Sequence, residues 1–177
     1  MIKKILESGN KILRGPSKNI PKIDKRIRSL INDLKETLEA QVDPEGVGLA
    51  APQIGVNLKV FVTKPAKEIK TYINPKIISS KKKVVNKKKK KLKEKKIMEG
   101  CLSLPHYYSP LDRDFEVKLK YTNEAGKKVT EVYTGIEAQI VQHEVDHLSG
   151  ILFVDRLLEQ DKPLYEYKNG EWDEVEL

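Results

Sequence analysis

Cysteine is almost missing: one, Cys101, in 177 residues. A single thiol closes no internal disulfide, so the core must stand on packing alone, and a reducing cytoplasm is the expected setting. Long apolar runs are missing too. Nothing approaches the ~20 residues of a membrane span, and the first thirteen residues, MIKKILESGNKIL, have no continuous apolar stretch and no small-residue cleavage site, so no signal peptide is expected. A net positive charge is missing from most of the chain, although the whole carries +8. Residues 81–96 hold eleven Lys and one Glu, a net of +10, while the other 161 residues carry 23 basic and 25 acidic side chains. The protein is therefore a near-neutral domain with a basic block set into it. A general nucleic-acid-binding face, and specific DNA binding with it, does not follow from the net charge.

What is present reads as an α+β chain of one domain, with a lysine-rich insertion at 81–96 and an acidic tail at 159–177. Residues 24–42 place Ile27, Leu30, Ile31, Leu34 and Leu38 at helical spacing behind Asp24, a good N-cap; an amphipathic helix is predicted. Residues 58–63, 71–79, 115–121 and 128–134 read as short strands, the last two joined as a hairpin through Gly126. A final helix is predicted from Gly135, opened by a Thr134–Glu137 capping box and stopped at Gly150. The stretch Gly46 to Gly55 is too rich in small residues for a helix or sheet interior and suits a backbone that something approaches closely. It lacks the G-x-G-x-x-G spacing and a following P-loop lysine, so phosphate binding is not expected. The lysine block is predicted as an exposed loop or projecting ribbon, held off the core by its own repulsion.

Chemistry concentrates on the last helix, in His143-Glu144-Val145-Asp146-His147. Histidines at i and i+4 share one helix face and can reach one ion, while Glu144 can reach a water beside it without ligating. Ile136 and Ile140 set that face against the core. The third ligand is open at this stage. The metzincin position holds Phe153, which cannot bind metal. Glu159 and Glu166 would suit a thermolysin-like zincin but lie in a tail that reads as solvated, leaving Cys101 and His106. A lone cysteine is ordinarily a small buried hydrophobe. Here it is also the softest donor available, and a Cys-His-His set leaves a fourth position open, as a catalytic site requires.

Three separated stretches, Gly46–Gln53, Glu99–Ser103 and His143–His147, resemble in order and rough separation the three signature motifs of peptide deformylases. The resemblance covers most of residues 1–158. It implies short antiparallel strands packed around a C-terminal HExxH helix, and hydrolysis of the N-formyl group from the initiator methionine of nascent polypeptides, releasing formate. It further implies Cys101, His143 and His147 as metal ligands and Glu144 as general base, with the Gln53 amide and the Leu102 N–H as oxyanion donors. The metal it implies is Fe²⁺, with Zn²⁺ or another divalent ion in purified protein. By the same match, Gly46, Val47, Gly48, Ile97, Glu99, Gly100, Ile136, Gln139, Ile140 and His143 contact the substrate, several of them around the methionine side chain. Gln139 is polar where an aliphatic residue is commoner. Tyr108 stands where some bacterial members carry an Arg, while Arg113 matches a later Arg of the pattern. Some members end in a basic helix that docks on the ribosome; here residues 159–177 carry seven acidic and two basic side chains. The lysine block is the candidate replacement as a ribosome anchor. Two other readings are a zinc endopeptidase of the HExxH type with an acidic third ligand, and a binding module that holds RNA on the lysine block.

Overall fold

The computed structural model describes residues 1–65, 68–82 and 97–176. The predicted loop or ribbon at 81–96 therefore lies, from residue 83 onward, outside the described residues. The rest is α+β, as the sequence suggests. Helix α1 (Lys25–Glu39) starts where Asp24 accepts a hydrogen bond from the Ile27 N–H at 2.9 Å and buries all five predicted apolar positions.

A five-stranded antiparallel sheet follows, in the order β1 (Gly48–Ala50), β2 (Val60–Thr63), β3 (Lys70–Lys81), β6 (Glu116–Thr122), β7 (Lys128–Thr134). Its side chains alternate between two cores, as a period of two requires. Leu49, Val60, Val62 and Ile73 pack on α1. Ala50, Phe61, Tyr72, Val117 and Leu119 face helix α2 (Gly135–Leu148) through Ala138, Val141 and Leu148. Each fully buried Leu or Val contributes roughly 1.5–3 kcal/mol, so the sheet is clamped between the two helices. The predicted β6–β7 hairpin is present, with Gly126 at φ 82° in its turn.

The start of α2 departs from expectation. Thr134 makes no capping hydrogen bond. It is the last rung of β7, opposite Glu116, and Gly135 at φ 59° turns the chain directly from strand into helix. The capping box gives way to a strand-to-helix corner. The other end is as predicted: Gly150, at φ 75°, lies where a Cβ would come within 2.5 Å of the Arg14 carbonyl oxygen.

The solvated tail is a larger correction. Residues after α3 (Phe153–Glu159) form the hairpin β8 (Leu164–Lys168) and β9 (Glu171–Val175), turning at Asn169 and Gly170, both at positive φ. Strand β8 pairs with β5 (Leu104–Ser109), which pairs with β4 (Glu99–Cys101), so this hairpin supplies half of a second, four-stranded sheet. Leu164 packs with Cys101, Leu111, Phe153 and Leu157 in a third core cluster, joined by Val175. Glu171, Asp173 and Glu174 are exposed and Glu166 is half-buried, but the strands that carry them are anchored.

Candidate active site

The site lies where the two sheets meet α2. Strand β1 is the edge of the first sheet and β4 the edge of the second. Between them opens a cavity of about 230 Å³ lined by Val47, Gly48, Gln53, Glu99, Gly100, Cys101, Leu102, Gln139, Ile140, His143 and Glu144. Ile97 and Ile136, half-exposed, stand at its mouth. Of the residues expected to contact substrate, Gly46 is not in the lining. A Cβ there would meet Leu38 at 2.7 Å and Gln41 at 3.0 Å, so its small size serves the end of α1 instead.

Cys101, His143 and His147 come together, the histidines as their spacing predicts and the thiol as the resemblance implies. Cys101 Sγ is 3.3 Å from His147 Nε2, which is 3.2 Å from His143 Nε2. All three donor atoms lie within 4.8 Å of one another and all three residues are buried. Tetrahedral bonds of about 2.0–2.3 Å give ligand–ligand edges on the order of 3.5 Å, so these donors fit one divalent ion. His106, Glu159 and Glu166 are not in this group. His106 is partly exposed and 4.0 Å from Asp43, Glu159 pairs with Arg156, and Glu166 lies on the C-terminal hairpin.

The electrostatics favour a thiolate. Burial by itself would raise the Cys101 thiol, but the charges of His147 and His143 pull it well below its ordinary value. His143 is oriented from behind: its Nδ1–H donates to Glu99 Oε1 at 2.8 Å, turning Nε2 toward the thiol. Glu99, expected among the substrate contacts, thus lines the cavity and also orients a donor. Arg113 grips both its oxygens at 2.7 and 3.0 Å. Burial opposes ionisation of Glu99, but the hydrogen bonds from His143 and Arg113 hold its carboxyl down to about 2.

Arg113 does not line the cavity. Its third contact is Asp146 at 2.6 Å, which in turn takes a two-pronged contact from Arg156 at 2.7 and 2.9 Å. The chain of alternating charge from His143 to α3 was not foreseen. Its sequence signals are Arg113, whose position matches the family pattern, and Asp146, an acid three residues past His143.

Glu144 has a different environment. It is 3% exposed, and its Oε2 has no hydrogen-bond partner among the described residues. Burial pushes its carboxyl up to about 7, with the His143 and His147 charges opposing. Gly48 is the reason it fits: a Cβ there would stand 2.3 Å from Glu144 Oε1. The predicted close approach in the glycine stretch is therefore to a side chain of this protein. Gln53, in the 3-10 turn Ala51–Ile54, is held by its own amide oxygen, which accepts from the Ala50 N–H at 2.8 Å. Its amide nitrogen donates to Ser103 Oγ at 3.2 Å and lies 3.8 Å from Cys101 Sγ. The donor end faces the site.

A soft donor triad, a buried carboxylate beside it and an oriented amide, opening between two strand edges, define a hydrolytic centre of the HExxH class. Residues 2–163 match the polypeptide deformylase family, and the chain belongs to that family. The peptide deformylase of Pseudothermotoga lettingae is 44% identical over 156 residues, 88% of this chain and 82% of the relative. That of Dehalococcoides mccartyi strain BAV1 is 39% identical over 163 residues, 91% and 89% of the two chains. Among solved structures, the Thermotoga maritima peptide deformylase superposes with a TM-score of 0.77 at 33% identity, covering 88% of this chain and 97% of the other. The Synechococcus elongatus enzyme in complex with actinonin gives 0.75 at 34% identity, covering 86% and 76%.

Proposed function

We propose that this chain is a metal-dependent peptide deformylase, a single catalytic domain that removes the formyl group from the initiator methionine of nascent polypeptides. The observation that carries the reading is the convergence of Cys101, His143 and His147 beside a buried Glu144, whose Oε2 has no hydrogen-bond partner among the described residues, in a cleft between two strand edges. A catalytic carboxylate must be close enough to water to take its proton and too constrained to become a ligand. Glu144, one residue from His143 and fitted against Gly48, meets both conditions.

Cys101, His143 and His147 would hold the ion, which supplies a Lewis acid able to make hydroxide available near neutral pH. Every other role falls to the chain. Glu144 takes the proton of the attacking water and passes it to the leaving amine. The Gln53 amide and the Leu102 N–H donate to the oxygen of the tetrahedral intermediate, where one such donor is typically worth about 3 kcal/mol. Glu99, clamped by Arg113, keeps His143 from turning. The open edges of β1 and β4 suit an extended peptide added by main-chain hydrogen bonds, with Val47, Ile97, Ile136, Gln139 and Ile140 around the methionine side chain. Among the described residues the donor group contains no acidic third ligand, which the endopeptidase reading needs.

Thiolate and imidazole suit Fe²⁺ and Zn²⁺ alike; we assign Fe²⁺ as the native ion and a reducing cytoplasm as the setting that keeps it and Cys101 functional. Among the described residues no helix is long and apolar enough to cross a membrane. Protein prepared without oxygen and loaded with iron is expected to release formate from a formyl-Met peptide faster than zinc-loaded protein. Equal rates would overturn the iron assignment. The lysine block at 81–96 is assigned as a ribosome anchor through phosphate contacts. Its deletion is expected to leave turnover of short peptides unchanged and to remove salt-sensitive ribosome binding; binding that persists refutes the assignment.

A further inference from the structure

The cleft does not end at the methionine pocket. Beyond Cys101 its wall is formed by Tyr107 and Tyr108 of β5. At His106 it adjoins a second depression of about 290 Å³ that includes Asp43 and, from the C-terminal hairpin, Glu166 and Tyr167. A peptide leaving the methionine pocket in this direction meets the hairpin next.

Strand register fixes which hairpin side chains it meets. Gly100 lies opposite Tyr108, Tyr108 opposite Tyr165, Tyr165 opposite Glu174 and Tyr167 opposite Trp172. Directly opposed residues share a face, as do residues two apart on one strand. Gly100, Tyr108, Tyr167 and Trp172 therefore lie on one side of the sheet. The Tyr108 ring covers Gly100 so closely that a Cβ there would meet it at 2.7 Å. Trp172 packs edge-on against Tyr108, centroids 5.2 Å apart at 74°, and Tyr167 lies 4.7 Å behind Trp172. Both outer rings are partly exposed, Trp172 at 49% and Tyr167 at 39%. On the opposite face Leu164 and Val175 pin the hairpin to the core cluster that contains Cys101. The result is an aromatic shelf, joined to the catalytic strand pair and open on one side.

We propose that Trp172 is a positioning residue for the downstream part of the substrate: it fixes Tyr108 as the outer wall of the cleft, and the shelf of Tyr108, Trp172 and Tyr167 takes apolar or aromatic side chains that follow the methionine. The inference rests on the deformylase reading and specifies which feature of that substrate this chain selects. An acidic hairpin that looks like a poor nucleic-acid ligand thereby acquires a peptide-binding role through its aromatic face.

The test compares formyl-methionine amide, which ends before the shelf, with formyl-Met-Leu-Phe amide, which reaches it. Trp172→Ala is expected to raise KM for the longer peptide roughly three- to tenfold, the scale of one lost aromatic contact, while leaving its kcat and the KM of the amide unchanged. Trp172→Phe should restore most of the loss. A purely structural role would instead lower kcat on both substrates, and that outcome, or no change on either, overturns the proposal. If wild-type protein deformylates neither substrate, the underlying reading fails and not merely this extension of it. Because Trp172 is the chain's one tryptophan, binding can also be read without replacing it. In Glu144→Gln protein, the longer peptide should shift tryptophan emission and the amide should not. Equal responses to the two, or none to the longer peptide, refute the shelf.

Discussion

Glu144→Gln is expected to fold, to keep its metal and to lose kcat by about a thousandfold or more, the scale of a missing general base. The isosteric amide fits the space that Gly48 leaves but cannot accept and return a proton. A variant that turned over normally would remove Glu144 from the reaction. The same substitution has a second signature in metal-free protein. Burial holds the Glu144 carboxyl up to about 7 against an ordinary value of 4.5, so folding favours its protonated form. The stability this provides is complete below 4.5 and is lost as pH rises through about 7. The shift corresponds to about 3 kcal/mol across that window. Urea titrations should therefore show metal-free wild-type protein losing stability relative to Glu144→Gln as pH rises from 4.5 to 7. Parallel curves would mean that the carboxylate is solvated or partnered after all.

Arg113→Met should be the most damaging single change outside the donor triad and Glu144. The guanidinium is 8% exposed and holds two carboxylates, Glu99 and Asp146, that are themselves 4% and 13% exposed. Removing it leaves both anions without their central partner, and breaking a buried ion pair by deleting one member typically costs about 3–5 kcal/mol. The consequence reaches the catalytic centre because Glu99 orients His143. Metal affinity should fall with stability, on the tenfold to hundredfold scale seen when such outer partners of a ligand are lost. The wild-type sign is opposite to that of Glu144. Glu99 is held at about 2, below its ordinary value of 4.5, so its contribution is complete above 4.5 and disappears as pH falls toward 2. Arg113→Met should unfold at higher pH on acidification. Arg113→Lys keeps the charge and loses the fork, and should fall between the two. Unfolding midpoints together with bound-metal content decide it: wild-type values for both in Arg113→Met would remove the clamp from the explanation.

Much of this centre was legible because its chemistry is written in short-range patterns. Histidines four apart on a helix must share a face, and Glu144 between them must lie beside the ion they could hold. Cys101 was harder, since nothing local joins residue 101 to residue 143. Elimination left Cys101 and His106 as the better donors, and the resemblance of three motifs selected the thiol. The α1 core positions were fixed by helical spacing and one N-cap. Where prediction failed, a tertiary contact had displaced a local rule. Thr134 looks like a cap but is a rung of β7, and the β8–β9 hairpin was hidden because acidic side chains interrupt its apolar positions. Its Asn169-Gly170 turn was visible between residues that alternate in polarity, and only Leu164 and Val175 enter the core. Arg113, Asp146 and Arg156 come from different segments, so their mutual pairing has no sequence period to reveal it. Glu99 shows the same limit: its motif places it in the cleft wall, where it does lie, but no local pattern announces its partners His143 and Arg113.

The most direct measurement is the identity of the product. Iron-loaded protein prepared without oxygen is incubated with a formyl-Met peptide several residues long. Formate is then assayed while the peptide is followed by mass spectrometry. The expected result is formate and intact peptide with a free methionine amine in equal amounts, with no internal cleavage. Internal fragments without formate would contradict the assignment and return the site to the endopeptidase reading.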